Sequence, residues 1–168
     1  ARFQPGIQVN ANAQFGNKDG MRYWYVDALV TIPSGVMIMS GVGLYGFGGG
    51  MYHHMKQRNV PTAIAANASA TSSAVAGTIT PPVSGITYVP DSTIFLGLKA
   101  TVIVATYPTS KTVNADVTLE ATFLEGGGMG QLMFYGSGYF MTEITQRSDQ
   151  APLYCNAYIG YDFQNQIL

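Results

Sequence analysis

The sequence predicts an all-β protein: an antiparallel β-sandwich, or an open β-barrel or meander, of about seven to eight strands. Apolar and polar residues alternate with a period of two over most of the chain, no segment has a helical period, and turn-forming residues separate the alternating runs. With 168 residues, the chain fits a single β-rich domain over residues 1–168 that is long enough to bury a sizeable core.

The first two strands are expected to form a hairpin. Residues 7–15 alternate strictly between apolar side chains and Gln or Asn, which predicts a half-buried strand with an amide-rich outer face. Residues 17–20, Asn-Lys-Asp-Gly, have the composition of a hairpin turn. The second strand is expected over residues 21–32, where a Pro-Ser-Gly turn at residues 33–35 ends it.

The rest of the chain predicts five more strands and one long loop. Residues 60–85 are rich in Ala, Ser and Thr, and we interpret them as a low-complexity surface loop. In the strand at residues 112–123, the apolar series from Val113 to Phe123 is expected to point inward. The five strands are expected over residues 36–52, 94–106, 112–123, 131–141 and 156–163.

The composition limits the partners that the protein can have. Charged residues make up 10% of the chain, against about 25% in average soluble proteins, so much of the surface is expected to contact neighbouring protein. The net charge is −1, and the scattered Lys and Arg residues predict no nucleic-acid partner. The single cysteine, Cys155, excludes an intrachain disulfide and is expected to be a buried thiol.

The glycine-rich stretch at residues 41–50 contains the spacing G-x-G-x-x-G, which occurs in dinucleotide-binding loops. A phosphate-binding loop of that type is followed by a helix, whereas three more glycines follow Phe47. No carboxylate lies about twenty residues further on to bind a ribose. The glycines therefore indicate close strand packing, and no cofactor is expected.

A short pattern of aromatic residues and glycines occurs twice in the chain, and it is the candidate ligand or packing surface. In the first copy, an extended strand would place Gly46 and Gly48 on one face and Tyr45 and Phe47 on the other. The eight residues of the two copies are Tyr45, Gly46, Phe47, Gly48, Tyr135, Gly136, Gly138 and Tyr139. Exposed aromatic rings in such a pattern could stack on a sugar, which makes glycans a candidate partner.

Few residues form a pattern with catalytic or metal-binding chemistry. His53 and His54 are adjacent in a strand and are expected on opposite faces, so no metal site is predicted. Asp116 and Glu120 would lie about 13 Å apart on one strand face, further than the carboxylates of glycosidases, and we interpret them as a solvated polar face. No nucleophile elbow is present, and no catalytic residue or enzyme activity is expected.

Two smaller observations concern pairing and modification. Asp27 lies between aromatic residues and is expected to pair with Arg22 or Lys99. Asn67 begins an N-glycosylation sequon, and Ser92 lies in an Asp-Ser-Thr sequence, so both are candidate glycosylation sites.

Several segments together resemble modules of very large β-rich proteins encoded by Bacteroidota, for which no chemistry is assigned. The similar segments are MRYWYVDA at residues 21–28, LYGFGGG at 44–50, YVPD at 88–91, LGLKA at 96–100 and YGSGYFM at 135–141. The resemblance implies a secreted or surface-exposed piece of a larger protein. It carries over no catalytic residues.

These observations predict a structural or assembly module of an extracellular or bacterial cell-surface protein, such as a subunit of a filament or surface layer. It would act by pairing with copies of itself or with other parts of its parent chain, through edge strands ending at Phe15 or at residues 167–168. One alternative is an outer-membrane β-barrel, and only this hypothesis involves a membrane. The length, the alternation and the low charge of the chain favour it, but no aromatic girdles are evident. The other alternative is a carbohydrate-binding or adhesin module.

Overall fold

The computed structural model describes residues 6–58, 87–147 and 151–168, and within them the protein is all-β, as predicted. The elements are β1 (Gln8–Lys18), β2 (Met21–Met39), β3 (Val42–His53), β4 (Met55–Gln57), β5 (Tyr88–Pro90), β6 (Ile94–Thr106), β7 (Val113–Leu124), β8 (Met129–Phe140), a short 3-10 helix (Ile144–Gln146) and β9 (Leu153–Asp162). No helix in the part of the chain that the structure describes has the length and apolar character needed to cross a membrane.

Seven of the strands form one antiparallel sheet in the order β1-β2-β3-β6-β7-β8-β9. The short strands β4 and β5 pair separately, in the connection between β3 and β6. The sheet is open, because β1 and β9 lie at its two edges and do not pair with each other. The predicted meander and the predicted edge position of the first strand are therefore confirmed, whereas the predicted loop at residues 60–85 lies outside the described residues.

The register of the sheet separates polar from apolar side chains across all seven strands. Directly paired residues of neighbouring strands point to the same side, so each row of paired residues belongs to one face. We call one side the apolar face; its central row is Ala11, Ala28, Gly49, Ala100, Leu119, Phe134 and Ile159. We call the other side the polar face; its central row is Asn12, Asp27, Gly50, Lys99, Glu120, Met133 and Gly160.

The polar face is the buried one, which reverses the usual arrangement of a soluble sheet. On β7, Asn114 and Glu120 of the polar face are fully buried, whereas Leu119 of the apolar face is 48% exposed. The prediction that the series from Val113 to Phe123 points inward is therefore wrong. So is the prediction of an amide-rich outer face on β1, where Phe15 is 72% exposed and the amides are on the polar face.

Two segments cover the polar face. The β4–β5 pair lies over its centre, where Met55 and Tyr88 are fully buried. The ring centroid of Tyr88 is 5.0 Å from those of Tyr25 and Tyr52, on β2 and β3. The segment that follows β8 covers the other end through Ile144 and Arg147. The core is thus built from tyrosines and polar groups on one side of a single sheet.

The predicted turn at residues 33–35 does not end the second strand. The ladder between β2 and β3 continues past it after a register shift between Thr31 and Val36, and the hairpin turn lies at residues 40–41. Gly35 has a φ of 65° and lies beneath the Tyr45 ring, so it serves as an irregular position inside a long strand. The short strands β4 and β5 were not predicted, and the expectation that Cys155 is a buried thiol is wrong, since that thiol is exposed.

Tyrosine rings on the polar face lie flat over glycines of the neighbouring strand. The Tyr23 ring covers Gly16 of β1, and the Tyr52 ring covers Gly97 of β6. A Cβ atom at either glycine would overlap the ring, so only glycine fits. An aromatic ring over a cross-strand glycine shields the backbone that glycine leaves bare, which compensates for the poor strand propensity of glycine.

We predict that Gly97→Ala destabilises the protein by about 1–3 kcal/mol, because the added methyl group displaces the Tyr52 ring from its position over β6. The measurement is the free energy of unfolding from a denaturant titration. Gly126→Ala is the matched control, since a Cβ at residue 126 meets no atom within 4 Å. Equal, small effects of the two substitutions would contradict the packing of Tyr52 on Gly97.

Candidate functional site

The most elaborate polar site is centred on Glu120, in the middle of β7 and fully buried. Its Oε1 accepts a hydrogen bond from the Tyr52 hydroxyl at 2.5 Å. Its Oε2 accepts hydrogen bonds from the hydroxyls of Tyr88 at 2.8 Å and Tyr135 at 2.7 Å, and from Gln57 Nε2 at 2.8 Å. The four donors come from β3, β5, β8 and β4, so one carboxylate ties both sheets together.

Burial of a carboxylate is costly unless strong hydrogen bonds replace its water shell, and three phenols and an amide do this for Glu120. Burial, and next the nearby Glu120 carboxylate, raise the pKa of Tyr88 well above its ordinary value. The Tyr88 hydroxyl therefore stays protonated and acts as a donor. Tyr88 of β5 donates to the same carboxylate as Tyr52 and Tyr135 of the main sheet, so Glu120 holds the β4–β5 pair against that sheet.

Asp27 is the centre of a second, partly buried polar group on the same row of the sheet. Its Oδ1 accepts from Asn12 Nδ2 at 2.8 Å, and its Oδ2 accepts from the Tyr25 hydroxyl at 2.8 Å and lies 3.1 Å from Lys99 Nζ. The Lys99 ammonium also lies 4.9 Å from the centroid of the Tyr25 ring. Of the two partners expected for Asp27, the structure thus selects Lys99 and not Arg22.

A third polar group closes the other end of the polar face. Arg147 Nη1 lies 3.0 Å from Asp116 Oδ1, and Arg147 Nε donates to Asn114 Oδ1 at 2.5 Å. The guanidinium carbon lies 5.2 Å from the centroid of the Tyr139 ring, within the range of a cation–π contact. The prediction that Asp116 and Glu120 form a solvated face is therefore wrong, because both carboxylates are buried and hydrogen-bonded.

Chemically, the three groups bind parts of this chain to one another. Among the described residues, three buried polar atoms have no hydrogen-bond partner: Gln14 Oε1, Gln57 Oε1 and Arg147 Nη2. No group of three or more His, Cys, Asp or Glu side chains that could hold a metal ion occurs in the described ranges. The network therefore has the character of a structural core.

The eight residues of the repeated aromatic–glycine pattern do not lie on a single surface. Phe47, Gly136 and Gly138 belong to the apolar face, whereas Tyr135 and Tyr139 belong to the polar face. The placement of Gly46 and Gly48 on one face is confirmed, and both lie on the polar side. A Cβ atom at these glycines would lie 2.7 Å from the Val30 carbonyl oxygen and 2.5 Å from that of Ala28, which explains the lack of side chains.

Tyr45 is not on the face expected from its sequence position. A register shift between Leu44 and Gly46 turns its ring to the polar side, where it is 1% exposed and packs with Ile103 and Ala105. Its hydroxyl donates to the Thr106 carbonyl oxygen at 3.1 Å. A β-bulge changes the alternation, so the prediction that Tyr45 shares a face with Phe47 is wrong.

The histidine pair and the glycosylation candidates lie away from the polar network. The ring centroids of His53 and His54 are 3.7 Å apart, because β3 ends at His53 and His54 has a φ of 50°; the expected opposite orientation is therefore wrong. His54 Nε2 lies 3.1 Å from Glu125 Oε2. Ser92 is exposed in the turn before β6, and Asn67 lies outside the described residues.

The apolar face is exposed on every strand of the main sheet. It extends over all seven strands, and its large exposed side chains include Val9, Phe15, Phe47, Met51, Leu98, Val102, Val113, Leu119, Leu132, Phe134, Leu153 and Ile159. The charged residues of these strands lie on the polar face or, for Lys18 and Arg22, at the turn between β1 and β2. Monomeric soluble proteins rarely expose apolar patches larger than a few hundred Å².

The exposure of the apolar face was not predicted, because alternation shows that a strand has two faces but does not show which face is covered. One available signal was the low charged fraction of 10%, which is too small to solvate one side of every strand. A second was the position of Asp116 and Glu120 opposite the longest apolar series of the chain.

Comparison with known proteins does not identify a relative: no protein-family model, no curated protein and no solved structure matches this chain.

We predict that Tyr52→Phe lowers the free energy of unfolding by about 1.5–3 kcal/mol, the usual contribution of a hydrogen bond to a charged group. The measurement is again a denaturant titration. Tyr154→Phe is the control: Tyr154 lies on the same face, but its hydroxyl has no hydrogen-bond partner among the described residues, and we expect a change within about 0.5 kcal/mol. A neutral Tyr52→Phe would contradict the central role of Glu120.

Proposed function

We propose that this chain forms part of the wall of a β-barrel in a bacterial outer membrane, with the apolar face against lipid and the polar face toward the barrel interior. The observation that supports this most is the inverted burial: the buried side holds Asp27, Lys99, Asp116 and Glu120, whereas the exposed side is apolar on every strand of the sheet. Membrane β-barrels have this distribution, apolar outside and polar inside, along each strand.

The height of the apolar face supports the same proposal. On β7 the apolar series runs from Val113 to Phe123, ten residue steps, or about 33 Å at about 3.3 Å per residue. Strands tilted by about 45° would project this length onto about 23 Å, close to the apolar band of about 25 Å in membrane barrels. The strand lengths of the sheet therefore fit a bilayer.

The connections at both ends of the sheet carry charged residues, whereas the apolar face carries none between its ends. The turn between β1 and β2 carries Lys18, Asp19 and Arg22, and the loop between β6 and β7 carries Lys111. Aromatic side chains gather near the first of these ends, as they do at membrane interfaces. They are Phe15, Trp24, Phe95, Phe123, Tyr161 and Phe163.

The role that we propose is structural and needs no catalysis. Seven strands with two open edges make an incomplete wall, which further strands from a parent chain or from copies would complete. This role keeps the expected assembly through edge strands and places it at the bacterial cell surface. It supports the glycan-binding alternative less, because Tyr25, Tyr52, Tyr88 and Tyr135 point into the core instead of forming an exposed row.

We predict that Leu119→Arg destabilises the protein in lipid vesicles by about 2–4 kcal/mol, because it places a charge in the middle of the apolar face. Val113→Arg is the matched control on the same strand and face, at the end of the apolar series; there we expect a cost of about 0–1 kcal/mol. The measurement is the free energy of unfolding in vesicles.

In water, an exposed Leu119 could be replaced by Arg at a cost within about 0.5 kcal/mol. Equally small effects at both positions, together with a monodisperse protein in the absence of detergent, would therefore overturn the proposed membrane role.

A further inference from the structure

We propose that β1 of one copy of this chain pairs with β9 of a second copy, so that copies join head to tail and close the barrel wall. This inference rests on the proposed membrane role and names the partner that completes the wall. It concerns β1 and β9, whose outer edges pair with no other strand of the described residues.

In the ranges that the structure describes, the two edge strands lack the features that protect exposed edges in soluble proteins. Neither β1 nor β9 contains proline, and the charged residues of both strands are confined to one end, at Lys18 and Asp162. Soluble proteins shield such edges with charges, proline or covering segments. The ladder between Asp162 and Ile167 covers only the last residue of β9. Long stretches of both edges are therefore suited to strand pairing.

A bilayer makes pairing of these edges necessary, since an open sheet edge in lipid leaves its N–H and C=O groups without partners. The seven strands of the described sheet do not close on themselves, and they are one fewer than the strands of the smallest bacterial membrane barrels. Two copies would supply fourteen strands, an even number within the range of bacterial barrels.

The direction of the strands selects the pairing. In an antiparallel sheet of seven strands, the first and the last run in the same direction, so β1 and β9 are parallel. A head-to-tail junction keeps every copy in the same orientation in the membrane. Pairing of β9 with β9, or of β1 with β1, in the antiparallel sense would invert one copy relative to the bilayer. The junction is thus a parallel pair, slightly weaker per residue than an antiparallel one.

The side chains of the two edges match face by face. On the polar side, β1 offers the amides of Asn10 and Asn12, and β9 offers Asn156 and the ring of Tyr158. On the apolar side, β1 offers small and aromatic groups, and the exposed residues of β9 there are Leu153, Cys155, Ala157 and Ile159. A head-to-tail junction therefore continues both faces without a break.

The native Cys155 makes the junction testable in the full chain, because its exposed thiol lies on the apolar side of β9. Cysteine is introduced singly at four apolar-side positions of β1: Val9→Cys, Ala11→Cys, Ala13→Cys and Phe15→Cys. Each variant is reconstituted in lipid vesicles and oxidised. Asn10→Cys is the matched control on the same strand, since it points to the polar face.

We expect covalent dimers from one or two neighbouring apolar-side variants, with a yield at least about fivefold above that of Asn10→Cys, because a disulfide needs Cβ atoms about 4 Å apart. Adding Cys155→Ser must abolish these dimers. Disulfide dimers of the unmodified chain would show pairing of β9 with β9 and overturn the proposal.

The same samples separate the two proposals. A chain that is protected from protease in vesicles but gives no cross-link at any of the four positions overturns head-to-tail pairing and leaves the membrane role standing. A chain that stays in the aqueous phase without detergent overturns the membrane role and, with it, this inference.

Discussion

Every strand of the main sheet is held in a register that keeps charged and amide side chains on one side and apolar side chains on the other. The rest of the structure depends on this segregation. It brings Asp27, Lys99, Asp116 and Glu120 onto one surface, where they must find partners because that surface is covered. Tyrosine supplies such partners, because its ring packs over a glycine and its hydroxyl donates to a carboxylate beyond it. The Tyr52 ring lies over Gly97 of the neighbouring strand, and its hydroxyl donates to Glu120 on the next strand of the sheet.

The composition of the chain follows from the same constraint. Glycines are needed where tyrosine rings cross a neighbouring strand or where backbones approach closely, which accounts for Gly16, Gly97 and Gly48. Charged residues are few because each charged side chain on the covered polar face needs its own hydrogen-bond donors or its own counter-ion. The apolar face carries no charged residue between its ends. A sheet with its polar groups satisfied internally and its apolar side bare is suited to an apolar surrounding, which is why we place it in a membrane.

The seven strands of the main sheet could be predicted from the sequence, because a period of two needs no tertiary information, whereas β4 and β5 are too short to show such a period. Tertiary contacts decided what could not be predicted. The turn at residues 33–35 was misjudged because Gly35 serves the packing of Tyr45, and the face of Tyr45 was misjudged because a bulge precedes Gly46. The burial of the two faces was predicted the wrong way round, since apolar side chains were assumed to point inward, whereas β4, β5 and the segment after β8 cover the polar face. The Glu120 cluster joins β7 to four other strands, with donors 15 to 68 residues away in sequence, and no local pattern indicates it.

The central claim, that lipid covers the apolar face, is tested most directly by the depth of its side chains in a bilayer. Single cysteines would replace Val113, Ala115, Val117, Leu119, Ala121 and Phe123 of β7 in a Cys155→Ala background, each labelled with a fluorophore in vesicles that contain lipids with quenchers at known depths. The account predicts that deep quenchers act most strongly at Val117 and Leu119 and progressively less toward both ends of the series. Labels that are equally accessible to a water-soluble quencher at all six positions, with no quenching from lipid, would contradict it.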